Sequence, residues 1–296
     1  MKKLVVFGLA LIGFVLTKSQ AQTISTLPLS NNSMCEGEAI NISYAVNGAF
    51  NAGNNFVAEL SDNTGSFATP VVLGSLASTG SGNIAGTIPL GTSAGSAYRI
   101  RVKGTNPGVI GSDNGSDLTV KLIPTVTFSA PADLCINANA VVLNGGNGLP
   151  AGGNGSYSGQ GVFGGSFFPN LAGQGTFSIN YTYTGTNGCA ASATDNITVN
   201  NLPTVTLNPF ASVCLNDAPF VLSGGLPAGG TYAVDGVSSV QFNPATIGPG
   251  NHQISYSFTD VNGCSNSTNV SVLENKQVII PQINVTDITC RLDTST

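Results

Sequence analysis

The sequence predicts an all-β fold, built as tandem small antiparallel Ig-like β-sandwiches, and three observations support this. One segment of the chain is repeated in order, first from Pro124 and again from Pro203. Several stretches alternate apolar and polar residues, which is typical of half-buried strands. No window after residue 21 has apolar residues at helical spacing. Hydrophobic residues make up 41% of the 296 residues, enough for packed cores rather than a disordered chain.

Residues 1–21 are predicted to be a secretory signal peptide. Lys2 and Lys3 form its positive end, Leu4–Leu16 its apolar stretch and Ser19-Gln-Ala21 a small-residue cleavage site. A membrane anchor is the alternative, but the apolar stretch is too short for a ~30 Å hydrocarbon core. We therefore expect a mature chain that is secreted or held at the cell surface, with no membrane insertion after cleavage.

Residues 22–122 are predicted to form a first Ig-like module, called here the N-terminal module. Its alternation is clearest around Ile42 and Tyr44 and again around Ile100 and Val102. This segment has a single cysteine, Cys35, and lacks the sequence features of the repeats that follow.

Residues 123–201 and 202–277 are predicted to be two copies of one Ig/PKD-like module, called repeat 1 and repeat 2. Each copy has an early cysteine, a Leu-Pro-Ala-Gly-Gly turn and an Asn-Gly-Cys hairpin, which we expect to be a type I′ turn. In order, these features are Cys135 and Cys214, Leu149–Gly153 and Leu226–Gly230, and Asn187–Cys189 and Asn262–Cys264. Residues 278–296 are expected to be the start of a further repeat in a truncated chain.

The cysteines predict disulfides, because an exported small module gains stability from one. Each repeat has a pair at equivalent positions, which predicts the bridges Cys135–Cys189 and Cys214–Cys264. Cys35 and Cys290 are then left over. No two cysteines have the spacing of a metal-binding pair, so a structural metal site is disfavoured.

Composition excludes several function classes and leaves weak candidates in others. Charged residues are 8% of the chain, there is one histidine, and the isoelectric point is about 4.6, which argues against a nucleic-acid partner. We predict a non-enzymatic protein without a cofactor. A Ser-His-Asp triad on His252 stays open, although a surface strand histidine is the favoured interpretation. Asp113 and Asp117 are weak calcium candidates, and Asx-rich turns are the alternative.

Two surfaces are candidates for ligand contact. Arg99, Arg101 and Lys103 alternate along one strand, so they predict a basic strip on one face. This strip would dock an acidic polysaccharide or an acidic protein surface, and a solvated strand face is the alternative. Four aromatic residues could stack on sugars: Tyr157, Phe167, Tyr181 and Tyr183. Tyr181 and Tyr183 share one face of a strand, however, which favours a core role.

The repeats resemble the Ig-like or PKD-like modules of large secreted, cell-surface proteins of Bacteroidetes. The resemblance is carried by the Leu-Pro-Ala-Gly-Gly turn, Tyr157–Val162, Tyr181–Thr184 and the Asn-Gly-Cys hairpin, and a similar one covers the N-terminal module. It implies an adhesin-like array, often exported by the type IX system through a C-terminal sorting domain. We therefore expect an adhesion or spacer array whose partner is an unknown surface protein or polysaccharide. The alternative is a carbohydrate-binding accessory array of a larger extracellular enzyme.

Overall fold

The computed structural model of the chain describes residues 21–276. The predicted signal peptide, apart from its last residue, and residues 278–296, predicted to begin a further repeat, lie outside the described residues. The described chain forms two compact units. One contains the residues up to Thr125 together with Thr184–Ala191, and the other contains Val126–Tyr183 and the residues from Ser192 onward. The module boundaries at 122 and 201 stay predictions.

The N-terminal module contains ten strands in two sheets. They are β1 (Thr23–Thr26), β2 (Ser33–Cys35), β3 (Ala39–Asn47), β4 (Asn55–Leu60), β5 (Val71–Ala77), β6 (Gly82–Thr87), β7 (Gly95–Tyr98), β8 (Ile100–Thr105), β9 (Gly108–Asp113) and β10 (Leu118–Lys121). One sheet has the order β5-β4-β8-β9-β1-β3-β6 and the other β2-β10-β7. Ile42, Phe56 and Ile100 from the first sheet share one core with Tyr98 and Val120 from the second, so the module is a β-sandwich.

Repeat 1 contains nine strands and one short helix. They are β11 (Thr125–Phe128), β12 (Leu134–Cys135), β13 (Val141–Val142), β14 (Gly146–Leu149), β15 (Asn154–Ser158), β16 (Val162–Phe163), β17 (Ser166–Phe167), α1 (Pro169–Ala172), β18 (Gly175–Thr184) and β19 (Ala190–Asn200). The sheet β12-β19-β18-β15 lies against β13-β17-β16, and Phe167, Ile179 and Ile197 pack between them.

Repeat 2 follows the same order of elements. They are β20 (Thr206–Leu207), β21 (Val213–Cys214), β22 (Phe220–Val221), β23 (Gly225–Leu226), β24 (Thr231–Val234), β25 (Val237–Ser238), β26 (Gln241–Phe242), α2 (Pro244–Ile247), β27 (Gly250–Thr259) and β28 (Ser265–Asn275). Its main sheet is β21-β28-β27-β24-β25, and its core contains Leu222, Phe242 and Ile254. The predicted all-β fold of tandem β-sandwiches is confirmed. The expectation of no helix is wrong, because each repeat contains one helix of a single turn. Each of these helices begins at a proline, which is a favoured first residue of a helix.

A tyrosine in each repeat explains the glycines around the Leu-Pro-Ala-Gly-Gly turn. In repeat 2 the hydroxyl of Tyr256 donates to the carbonyl of Pro227 (2.5 Å) and accepts from the amide of Gly230 (2.7 Å). A Cβ atom on Gly225 would lie 2.6 Å from the Tyr256 ring, so the ring requires glycine beside it. In repeat 1, Tyr183 binds the turn in the same way.

The aromatic residues considered for sugar stacking are core residues. Phe167 is 0%, Tyr181 7% and Tyr183 5% exposed. Tyr157 is half-buried and packs against Tyr181, with ring centroids 4.8 Å apart. The core interpretation of their spacing is confirmed, because their faces are covered by neighbouring rings and by glycine backbone.

Candidate functional site

The two Asn-Gly-Cys hairpins have the same loop geometry. The amide of Gly185 donates to the carbonyl of Cys189 (2.8 Å), and the amide of Gly188 donates to the carbonyl of Gly185 (2.9 Å). Among the loop residues only Gly188 has a positive φ, of 84°, and Gly263 takes this role in repeat 2 with 78°. The predicted hairpin is present, but the type I′ assignment is wrong. The observed loop is a tight turn followed by one glycine with a positive φ, whereas a type I′ turn needs two residues with a positive φ.

The cysteines are paired differently from the prediction. Cys35 is bonded to Cys189 and Cys135 to Cys264, with Cα–Cα distances of 5.8 and 5.5 Å. The predicted bridges Cys135–Cys189 and Cys214–Cys264 are therefore wrong, and Cys35 is not left over. Cys214 is also disulfide-bonded. Each of the two bridges joins the early cysteine of one predicted module to the hairpin cysteine of the next.

Strand length is the physical reason for this correction. In repeat 2, Cys214 lies opposite Asn275 at the end of β28, whereas Cys264 lies directly before the first residue of that strand. A strand of 11 residues is about 36 Å long, far beyond the ~7 Å that a disulfide allows between Cα atoms. The same strand length separates Cys189 from Asn200, the neighbour of Cys135.

Polar contacts accompany both bridges. In the first unit the Asn187 side-chain amide donates to the Leu122 carbonyl (2.8 Å), and Lys121 Nζ donates to the Asn187 carbonyl (3.0 Å). In the second unit the Asn266 side-chain amide donates to the Pro203 carbonyl (2.9 Å). Each hairpin end is therefore bonded to the chain within two residues of the predicted start of its own repeat.

Trypsin gives a direct test of the pairing, because no lysine or arginine occurs between Lys121 and Lys276. Digestion of the denatured, unreduced chain is expected to leave the 22–99 peptide bonded to the 122–276 fragment. Reduction should separate the two, as seen by mass spectrometry. Cys189→Ser should release the 22–99 peptide without reduction, and Cys135→Ser should not. Release of that peptide from the unreduced natural chain would contradict the Cys35–Cys189 bridge.

The predicted basic strip is neutralised by neighbouring carboxylates. Arg101 lies directly opposite Glu59 on the neighbouring strand. Its Nε and Nη2 both lie 2.9 Å from one oxygen of Glu59, and Lys103 Nζ is paired with the other. The Glu59 side chain is only 2% exposed. Its pKa is lowered, because the hydrogen bonds and charges of Lys103 and Arg101 outweigh the opposing effect of burial. The Arg101 guanidinium also lies 4.3 Å from the centre of the Phe67 ring, a cation–π contact.

Arg99 is bound to the two weak calcium candidates. Its Nε lies 2.8 Å from Asp117 Oδ1, and its Nη1 lies 3.6 Å from Asp113 Oδ1. Asp113 Oδ1 also accepts the amide of Gly115, as in an Asx turn. A side-chain cation therefore lies beside both carboxylates. Calcium binding here stays a prediction, as does docking of a polyanion on Arg99, Arg101 and Lys103, which would compete with three carboxylates.

His252 is not the surface histidine that the sequence favours. Its side chain is 12% exposed, its Nδ1 lies 2.6 Å from Asp235 Oδ2, and its Nε2 lies 2.7 Å from the Gly248 carbonyl. A catalytic triad needs a hydroxyl at the second nitrogen, and a backbone carbonyl is bonded there instead. The open triad alternative is therefore not supported by this geometry.

Sequence reasoning missed two buried glutamates. Glu59 and Glu274 are 1% and 2% exposed and lie beside Arg101 and His252 respectively. A comparison of the two repeats could have identified Glu274, because Val199 occupies its position in repeat 1. Nothing in the pattern around Glu59 indicates its burial. Within residues 21–276, no three His, Cys, Asp or Glu side chains are grouped as metal ligands, and no helix is long and apolar enough to span a membrane.

Comparisons with known proteins give similarities to solved structures, of which one is described here. No protein-family model and no curated protein matches the chain. A solved structure described as "Crystal structure of Dpr2 Ig1-Ig2 in complex with DIP-Theta Ig1-Ig3" matches 86% of this chain and 100% of that chain. The sequence identity is 9% and the TM-score is 0.25. The fold class of the chain therefore rests on its own sheets and cores.

Proposed function

We propose that the chain is a non-enzymatic spacer array of a secreted or cell-surface protein, in which disulfides bear tension between consecutive modules. The observation that supports this is the bridge pattern, Cys35–Cys189 and Cys135–Cys264. Disulfides of this number fit an oxidising compartment outside the cytoplasm. The signal peptide, the origin in Bacteroidetes and type IX export are part of the proposal on sequence resemblance alone.

The two bridges overlap along the chain, and this overlap determines how the array would carry load. A force applied to the ends passes from Cys35 to Cys189, back along the chain to Cys135, and across to Cys264. Residues 36–134 and 190–263 then bear no load even when every module is unfolded. Such a chain limits its own extension, which suits a spacer that must hold a surface protein at a bounded distance.

The alternative of carbohydrate binding gains no support from the described residues. The aromatic side chains that could stack on sugars are buried or packed against each other, and the basic strip is paired with acids. Salt-sensitive retention of the chain on an acidic polysaccharide would still favour this alternative over a plain spacer.

Single-molecule stretching of the mature chain, held at its two ends, tests the spacer proposal. Reduction is expected to lengthen the fully stretched chain roughly threefold, at ~3.5 Å per residue. The double variant Cys35→Ser/Cys189→Ser should give an intermediate length without reduction, since Cys135–Cys264 remains. Equal stretched lengths before and after reduction would overturn the proposal.

A further inference from the structure

Repeat 2 contains a cluster of three ionisable side chains that the spacer function does not use. Asp235 follows β24, His252 lies on β27, and Glu274 lies near the end of β28. The imidazole lies between the two acids: Nδ1 is 2.6 Å from Asp235 Oδ2, and Nε2 is 3.8 Å from Glu274 Oε2. We call these three residues the acid–histidine cluster.

Glu274 is the unusual member of the cluster. Its side chain is 0% exposed, and neither of its oxygens has a hydrogen-bond partner. A buried carboxylate without hydrogen bonds is strongly disfavoured unless it loses its charge or has a counter-charge nearby. The imidazolium form of His252 is the counter-charge that the geometry provides.

Repeat 1 shows that the fold does not require this cluster. The paired long strands have equal lengths in the two repeats, so His252 corresponds to Phe177 and Glu274 to Val199. Val199 is 1% exposed in the core, and Phe177 packs against that core. Gln160, the counterpart of Asp235, makes an uncharged bond to the Ala172 carbonyl (2.8 Å). Repeat 2 therefore has charged groups where an apolar pair is sufficient.

The groups that face His252 determine how it titrates. Asp235 lies after β24 and Glu274 on β28, the Gly248 carbonyl follows α2, and β26 presents the ring of Phe242 at 5.8 Å. Burial opposes the charge of His252, but the hydrogen bonds to Asp235 and Gly248 and both acidic charges raise its pKa above 6.5. Burial raises the pKa of Glu274, and the histidine partly offsets this. The bond to His252 is the main cause of the lowered pKa of Asp235.

We propose that the acid–histidine cluster is a pH-sensitive lock on the edge of repeat 2 where β28 pairs with β21. Protonated His252 balances Glu274 and holds the pairing of Glu274 with Val213. When His252 loses its proton, Glu274 is left as an uncompensated charge in the core, and the edge loosens.

The sign of each contribution defines the pH window. A histidine whose folded pKa is raised stabilises the fold at low pH, and this stabilisation is lost as the pH rises through that pKa. The raised pKa of Glu274 also stabilises the fold at low pH. The lowered pKa of Asp235 has the opposite effect, because its contribution to the stability of the fold is lost in acid. The lock is therefore closed in mildly acidic solution and weakens as the pH rises above 6.5.

NMR titration of the imidazole tests the first step, and it needs no assignment because His252 is the only histidine. The pKa of His252 in the folded chain is expected to exceed its value in the urea-unfolded chain. As a control, His252→Phe and Glu274→Val, which copy repeat 1, are combined with Asn251→His. This moves the imidazole to an exposed position on the same strand, where the two values should agree. A folded pKa at or below the unfolded one would overturn the proposal.

Hydrogen exchange of the full chain tests the lock itself. After correction for intrinsic rates, exchange at β21 is expected to rise severalfold between pH 6 and pH 8, because the stabilisation is lost as the pH rises through the raised pKa of His252. The equivalent amides of β12 in repeat 1 provide an internal reference, because Phe177 and Val199 stand there in place of His252 and Glu274. Glu274→Val, which copies Val199, should keep the fold and remove the pH dependence. A similar rise in that variant, or no rise in the natural chain, would overturn the proposal. Neither experiment depends on the disulfides bearing load.

Discussion

Glu59→Gln is expected to destabilise the N-terminal module by about 3 kcal/mol, since losing one partner of a buried ion pair leaves the other uncompensated. The carboxylate of Glu59 accepts from Arg101 and Lys103 with separate oxygens. Glutamine has nearly the same shape, so the variant removes the charge without leaving a cavity. The free energy of unfolding is to be measured by hydrogen exchange of β4 and β8.

Asp117→Asn is the matched control for this variant. It also removes an acid that pairs with an arginine, but the Asp117 side chain is 58% exposed, and exposed pairs contribute about 0–1 kcal/mol. Equal losses in the two variants would contradict the importance of burial at Glu59.

The Glu59 prediction has a pH dependence of defined sign. The pKa of Glu59 is lowered in the folded chain, so its contribution is present above the unfolded value of 4.5 and is lost as the pH falls. The natural chain should therefore lose more of the stability of the N-terminal module on acidification than the Glu59→Gln chain.

The sequence could predict the β-sandwich class because its evidence is local. Alternation at Ile40, Ile42 and Tyr44 indicates a half-buried strand whatever the rest of the chain does, and all three are buried in β3. The order of features in the two repeats likewise predicts that they have the same elements. Turn residues indicated the hairpins, but the exact turn type depends on the φ of one asparagine, which composition does not determine.

The cysteine pairing could not be predicted because it depends on which ends of the strands come together. Equivalent positions in two repeats show that Cys135 and Cys214 have the same local place, and that Cys189 and Cys264 do too. They do not show that a strand of 11 residues separates the two cysteines of one repeat. Parallel pairing of β12 with the far end of β19 is a long-range contact, and it excludes the bridge that equivalence suggested.

The alternation of side chains along the strand also predicted the basic strip, but it did not predict the carboxylates that pair with it. It indicated that Arg101 and Lys103 share a face, and their common contact with Glu59 shows that they do. The same alternation could not indicate that the opposing strand brings a buried acid to that face. Cross-strand register decides whether three cations form a docking surface or an internally balanced group.

Gly225→Ala is expected to destabilise repeat 2 by about 3 kcal/mol, at the upper end of what overpacking costs. The new methyl group would lie 2.6 Å from the Tyr256 ring, whose hydroxyl is held by the Leu-Pro-Ala-Gly-Gly turn through Pro227 and Gly230. The ring therefore cannot retreat without breaking those hydrogen bonds. Hydrogen exchange of β27 is the measurement, since this strand carries Tyr256.

Two controls separate this clash from the general cost of changing a glycine. Gly80→Ala should change stability little, because a Cβ atom there has nothing within 4 Å and the backbone is not left-handed. Tyr256→Leu removes the ring, so adding Gly225→Ala to that variant should cost much less than it does in the natural chain. Additive losses in the double variant would show that the ring does not require glycine at position 225. The glycine at position 225 would then need another explanation.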